Sequence, residues 1–327
     1  MKLGMVGTGM IAQTMGPHLG AWGCPLTALC STPRSLDRAR ELAQVWGVAE
    51  VFSDYAAMLE QADVDTVYIA VPNHLHASFT LQALAAGKHV IVEKPFASTD
   101  AEVAQVIEEA RTRDLLVYEA VSTLYLPNYL RIKEWLPRIG TVKIVTCNYS
   151  QYSSRYDAFC AGTVLPAFNP AMSGGALMDL GVYNLNYIMG LFGAPQHVAY
   201  AANVDRGIDT SGVAILDYGA FKAVSICAKD CGAPTTNVIQ GTNGYIMQTT
   251  PANRCGAVTL HLNDGTEEVF DESPELQWES EFRAFAAGIE AGDRAGCAEK
   301  LEHSLAVARV LTEARRQAGV VFPADKA

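Results

Sequence analysis

Short apolar runs alternate with amphipathic stretches through the first 120 residues. Lys2–Val6, Leu26–Cys30, Thr66–Val71, Val90–Val92 and Leu115–Tyr118 are hydrophobic without a polar alternation, the pattern of strands buried on both faces. Between them the spacing turns helical. One helix begins after Gly9 and is shortened by Gly16-Pro17. Others are predicted at Leu36–Trp46 behind Ser35, Tyr55–Glu60 behind Asp54, in a stretch ending at Gly87, and at Asp100–Arg113 behind Ser98 or Thr99. Strand and helix alternate about six times, which predicts an α/β, doubly wound parallel sheet.

After Glu119 the pattern changes. Leu130–Leu136 reads as a helix and Thr141–Tyr149 as a strand with one polar face. Residues 150–173 are irregular, rich in Tyr, Ser and Pro, and carry Arg155; a loop of that length fits a functional lid. A helix is predicted over Leu177–Leu191. Strands then dominate at Val198–Val204, Gly212–Asp217, Ala220–Lys229, Asn237–Gly241, Tyr245–Gln248, Ala257–Leu262 and Glu267–Phe270. Turns at Tyr218-Gly219, Asn243-Gly244 and Asp264-Gly265 join several as antiparallel hairpins. Helices near Leu276–Ala291 and Ala298–Arg316 close the chain. The expectation is a first domain over residues 1–120 and an α+β domain over 121–327 with a large open, mainly antiparallel sheet whose free face serves dimerisation.

Composition narrows the function. A chain of 327 residues, 50% hydrophobic and 18% charged, buries a large core and divides into two domains. A net charge of −11 and a pI near 5.1 argue against nucleic acid or an anionic membrane as partner. The eight cysteines contain no Cys-x-x-Cys pair and several sit in apolar runs, as reduced thiols do. The Gly spacing of the N-terminus distinguishes it from a signal peptide, and no other stretch is apolar enough to span a bilayer, so a cytoplasmic protein is expected.

Candidate chemistry begins at Gly7-Thr8-Gly9-Met10-Ile11-Ala12, a G-x-G-x-x-A turn between a strand and a helix. Gly7 permits the bend, Gly9 lets backbone approach a pyrophosphate, and Ala12 allows close helix packing. An NAD site would place Asp or Glu at the end of the second strand. This chain has Ser31-Thr32-Pro33-Arg34 there, with Arg38 a turn further, which suits the 2′-phosphate of NADP, although NAD remains possible. His74 and His76 lack acidic or Cys companions, so no metal is expected. Glu93, Lys94 and Pro95 follow Val90–Val92 at the carboxyl end of a strand, where ligands bind in open parallel sheets. Asp179 and Tyr183 stand at i and i+4 on the predicted helix, one face presenting a carboxylate and a phenol.

Taken in order, the Gly-rich turn, Pro72 through His76, Gly87 through Pro95, and Gly174-Gly175 through Asp179 and Tyr183 resemble the Gfo/Idh/MocA oxidoreductases over nearly the whole length. Tyr183 is similar to the glucose–fructose oxidoreductase and dimeric dihydrodiol dehydrogenase branch. The resemblance implies a Rossmann domain, a C-terminal open sheet, and a homodimer or homotetramer through that sheet. It implies hydride transfer between NADP and a secondary alcohol or carbonyl of a sugar, polyol or dihydrodiol. Lys94, Asp179 and Tyr183 would be catalytic. Gly7, Thr8, Gly9, Met10, Ile11, Ser31, Arg34, Val71, Asn73, His76, Glu93 and Lys94 would hold the cofactor, with Arg155 on the substrate. Two rivals are a non-catalytic NADP-binding sensor, which would not need Lys94, Asp179 and Tyr183 together, and a methyltransferase, which would leave Glu93-Lys94-Pro95 unexplained.

Overall fold

The computed structural model describes residues 1–326. They form two compact units: residues 1–120 with 278–305, and residues 121–277 with 306–326.

In the first unit the chain runs β1 (Leu3–Val6), α1 (Met10–Met15), β2 (Leu26–Cys30), α2 (Leu36–Trp46), β3 (Glu50–Phe52), α3 (Tyr55–Gln61), β4 (Thr66–Ile69), α4 (His76–Ala85), β5 (His89–Glu93), α5 (Asp100–Thr112) and β6 (Val117–Ala120). The six strands are all parallel, in the order β3-β2-β1-β4-β5-β6. That is the Rossmann order, and β1 lies at its switch point. β1, β4 and the middle of β5 are fully buried, which is why their sequences are apolar throughout. β3 carries no comparable signal, being three half-buried residues at the sheet edge. Asp54 caps α3 by accepting from the Ala56 N–H, and Thr99 caps α5 in a reciprocal box with Glu102. Ser35 occupies the start of α2 without a capping bond.

The second unit contains α6 (Pro127–Trp135), β7 (Val142–Ser150), α7 (Tyr156–Cys160), α8 (Val182–Phe192), β8 (His197–Asp205), β9 (Ile208–Asp217), β10 (Lys222–Ala228), β11 (Asn237–Gly241), β12 (Gly244–Gln248), β13 (Val258–Leu262) and β14 (Glu267–Phe270). The eight strands form one sheet, β14-β13-β12-β11-β7-β10-β9-β8, antiparallel except where β7 pairs β10. The β9 strand starts four residues earlier than the apolar pattern indicates, because Arg206 and Gly207, both at positive φ, turn β8 directly into it. One sheet face is closed by a core that joins Val145, Cys147, Leu216 and Ile246 to Leu185 and Ile188 of α8. Ile144, Val213, Ile215, Tyr245 and Val269 stand out on the other face, exposed.

Two last helices, α9 (Glu279–Ala291) and α10 (Arg294–Gln317), follow. Residues 278–305, which sequence order alone would give to the second domain, pack with the first unit. Phe282 meets the Tyr68 ring edge-on at 5.2 Å and Phe285 stacks on Tyr118 at 5.0 Å. Among the described residues no helix is long and apolar enough to cross a membrane. All eight cysteines are unpaired.

Candidate functional site

The Gly-rich turn leaves β1 at the switch point. Gly7 has φ 114° and its N–H donates to the Cys30 carbonyl. A Cβ there would stand 2.2 Å from the Ala70 carbonyl oxygen, so only glycine fits. A Cβ at Gly9 would project into open space, and the next residue, Met10, is 68% exposed. An open backbone cradle beside an uncovered apolar side chain fits a dinucleotide. Thr8 is fixed by its neighbours: its carbonyl accepts from Gln13, whose side-chain oxygen accepts from Arg38 at 2.9 Å. At the end of β2, Ser31 is buried and Arg34 is exposed, with no hydrogen bond or ion pair to it among the described residues. No carboxylate occupies residues 31–34.

The ends of β4, β5 and β6 gather the remaining groups of this unit. His76 is buried at the start of α4, and its two ring nitrogens each lie 2.8 Å from a backbone carbonyl oxygen, of Pro95 and of Val71. It braces two strand-end loops, and burial pushes its imidazole below the ordinary value. Asn73 opens the short turn between Val71 and α4. Glu93 accepts from the Tyr68 hydroxyl at 2.6 Å; burial raises its carboxyl, opposed by that bond and by the Lys94 ammonium. Glu119, one strand over, accepts from the Phe96 N–H at 2.9 Å, and burial carries its carboxyl to about 7.

In the second unit, Gly174-Gly175 leads into the helix that carries Asp179 and Tyr183. The expected continuous α-helix is composite: Leu177–Gly181 forms a π-turn and α8 continues from Val182. Its entry is fixed by Asp209, buried on β9, which accepts from the Leu177 N–H at 2.7 Å and the Tyr200 hydroxyl at 2.9 Å. Lys229, 3% exposed just past β10, donates to Asp179 Oδ2 at 2.5 Å and to the Ala167 carbonyl at 3.3 Å. Its ammonium also lies 4.9 Å from the centre of the Phe168 ring. Asp179 thus belongs to a buried ion pair that leaves its carboxylate partly open, and Tyr183, half-buried, faces the Tyr149 ring at 6.2 Å. Such a carboxylate and phenol can orient a hydroxyl and move its proton. Arg155 is exposed at the start of α7.

Lys229, Asp209, Glu119 and Glu281 do not stand out in the sequence as functional residues. Each lies in or beside an element whose pattern is explained by folding alone; long-range contacts give Lys229, Asp209 and Glu119 their partners, and Glu281 is buried without one among the described residues. Among the described residues no group of three or more His, Cys, Asp or Glu could hold a metal.

Two family models match the chain. The oxidoreductase family with an NAD-binding Rossmann fold, GFO/IDH/MocA, covers residues 1–121, and the GFO/IDH/MocA C-terminal domain covers 129–247. A scyllo-inositol 2-dehydrogenase (NADP(+)) of Bacillus subtilis is 40% identical over 306 residues, 92% of each chain. A trans-1,2-dihydrobenzene-1,2-diol dehydrogenase of Danio rerio is 30% identical over 311 residues, 89% of each. Among solved structures, the 3-ketoreductase KijD10 from Actinomadura kijaniata, in complex with NADP and TDP-benzene, superposes with a TM-score of 0.83 at 25% identity, over 98% of both chains. The Gly-rich turn at the switch point of a parallel sheet, the open second sheet and both family models converge, and the chain belongs to the Gfo/Idh/MocA oxidoreductases.

Proposed function

We propose that this oxidoreductase interconverts a secondary alcohol and its carbonyl on a polyol, sugar or dihydrodiol, with NADP as preferred cofactor. The observation that carries the reading is Asp179, anchored by Lys229 yet partly open, on the same helix as Tyr183. The NADP preference is supported by Ser31 and Arg34 where an NAD site would carry an acid, and by the NADP dependence named for the Bacillus relative.

Bound NADP supplies the acceptor or donor of the hydride. Gly7, Thr8, Gly9, Met10 and Ile11 would hold its pyrophosphate, Ser31 and Arg34 its adenosine ribose, and Val71, Asn73 and Glu93 would border it, with His76 bracing their loops. Lys94 hydrogen-bonds the substrate oxygen and stabilises developing negative charge there. Tyr183 takes the hydroxyl proton in oxidation and returns it in reduction, Asp179 orients the substrate, and Arg155 contacts its polar groups. The exposed apolar face of the eight-stranded sheet is the surface for a second copy of the chain, giving a homodimer or, by pairing of dimers, a homotetramer.

NADPH absorbance, followed while the protein meets inositols, sugars, dihydrodiols and dicarbonyls, tests the reading. Turnover should vanish in Lys94→Ala and fall about 10²–10⁴-fold in Tyr183→Phe. Full activity in both variants would refute the assignment. Tight NADPH binding without turnover on any compound would favour a sensor.

A further inference from the structure

Behind Lys94 the first unit buries more acid than one ammonium can neutralise. Glu93 ends β5, Glu119 lies on the adjacent β6, and Glu281 comes from the first turn of α9. Glu281 is 0% exposed, and neither of its carboxyl oxygens has a hydrogen-bond partner among the described residues. Two contacts place the three acids: Phe282, next to Glu281, packs on Tyr68, whose hydroxyl donates to Glu93, and Glu119 accepts from the N–H of Phe96, two residues past Lys94. We propose that Glu93, Glu119 and Glu281 form one electrostatically coupled carboxyl cluster, and that Glu119 and Glu281 are positioning residues that set how tightly Lys94 holds its proton.

The charge count leads there. The groups facing the cluster are the Lys94 ammonium, the Tyr68 phenol on β4 and the Ser304 hydroxyl on α10, while the buried His76 imidazole at the start of α4 faces Lys94 and is held by its loop contacts with Val71 and Pro95. On α9 itself, Glu279 is paired with Arg283 at 2.8 Å. Three carboxylates beside one cation in a poorly solvated site cannot all ionise. The acid without a donor keeps its proton, and that is Glu281: burial, then Glu93 and Glu119, hold its carboxyl well above the ordinary range. Glu119 has donors in Ser304 and the Phe96 N–H, so it changes charge near neutrality. Coulomb attraction is mutual: Lys94 favours the ionised form of Glu93 and Glu119, and each ionised carboxylate in turn favours the ammonium of Lys94. As Glu119 ionises, Lys94 holds its proton more tightly and becomes a weaker proton donor, and the carboxylate offsets part of the ammonium's field at a substrate oxyanion.

The inference rests on Lys94 acting on substrate, and two measurements separate the claims. The first needs no turnover. A carboxyl whose value is raised by folding keeps in the native state a proton that the unfolded chain loses, so stability falls as pH rises from the ordinary value of about 4.5. The urea midpoint of the whole protein should fall from pH 5 to pH 8, and fall less in Glu281→Gln and in Glu281→Leu. An equal fall in wild type and in whichever of these folds would overturn the proton held on Glu281. The second is the pH profile of kcat/KM. In Glu119→Gln its change near neutrality should shift by about one pH unit or flatten, with KM nearly unmoved. An unchanged profile would overturn the link to Lys94. Wild-type turnover in Lys94→Ala would instead remove the catalytic reading while the urea series still decides the cluster.

Discussion

At the scale of single residues, the side chains most dependent on context are charged groups held away from water. Lys94 and Asp179 are legible in the sequence because Glu-Lys-Pro follows a buried strand and Gly-Gly precedes a helix. Lys229 is not, since nothing local distinguishes it from a solvated lysine after a strand. Only the fold shows it almost completely buried against Asp179 and the Phe168 ring. Removing one partner of such a pair strands the other. Lys229→Met is expected to lower kcat/KM by at least about tenfold and to move the acid-side fall of activity to higher pH, because a carboxylate without its cation is easier to protonate. Lys229→Arg should recover part of both effects. A pH-rate series on the three proteins decides it, and an unmoved acid limb in Lys229→Met would remove Lys229 from the site.

At the scale of elements, the joint between Gly174-Gly175 and α8 carries most of the precision. Gly175 adopts φ 109°, and a Cβ there would come within 2.1 Å of Asp209 Oδ1, the carboxylate that holds the Leu177 N–H. Gly175→Ala therefore strains the backbone and displaces the anchor of the π-turn together. A loss of more than about 1 kcal/mol is expected, measured by urea unfolding, with a fall in turnover even where the variant folds fully. Stability and turnover both like wild type would contradict this account. The i, i+4 spacing of Asp179 and Tyr183 was readable, but the π-turn was not. It is set by Asp209 and by the close approach of Gly181 to Cys227. The strands show the same division. β1, β4 and β5 are plain from their apolar runs, whereas the short β3 and the early start of β9 come from pairing with neighbours.

At the scale of the whole molecule, the outer face of the second sheet is the surface proposed for a second copy of the chain. Val213 and Ile215 on β9 are 40% and 48% exposed and pair across to Ile226 and Val224 on β10. A contiguous apolar face of this kind is the expected seat of a second copy. Val213→Glu with Ile215→Glu should halve the mass measured by light scattering without changing the circular dichroism of the protomer. An unchanged mass would move the interface elsewhere. The sequence by itself determined the α/β class of the first unit, the dinucleotide turn, the antiparallel character of the second sheet and the position of the Lys94 and Asp179 motifs. Those features rest on local rules: periodicity, glycine conformation and turn chemistry act over a few residues. Only the tertiary structure decided that residues 278–305 join the first unit, that Lys229 and Asp209 hold the Asp179 helix, and that Glu281 is buried without a hydrogen-bond partner among the described residues. Burial and electrostatic pairing join residues far apart in the chain, and a charged side chain carries no local mark of the partner that will neutralise it.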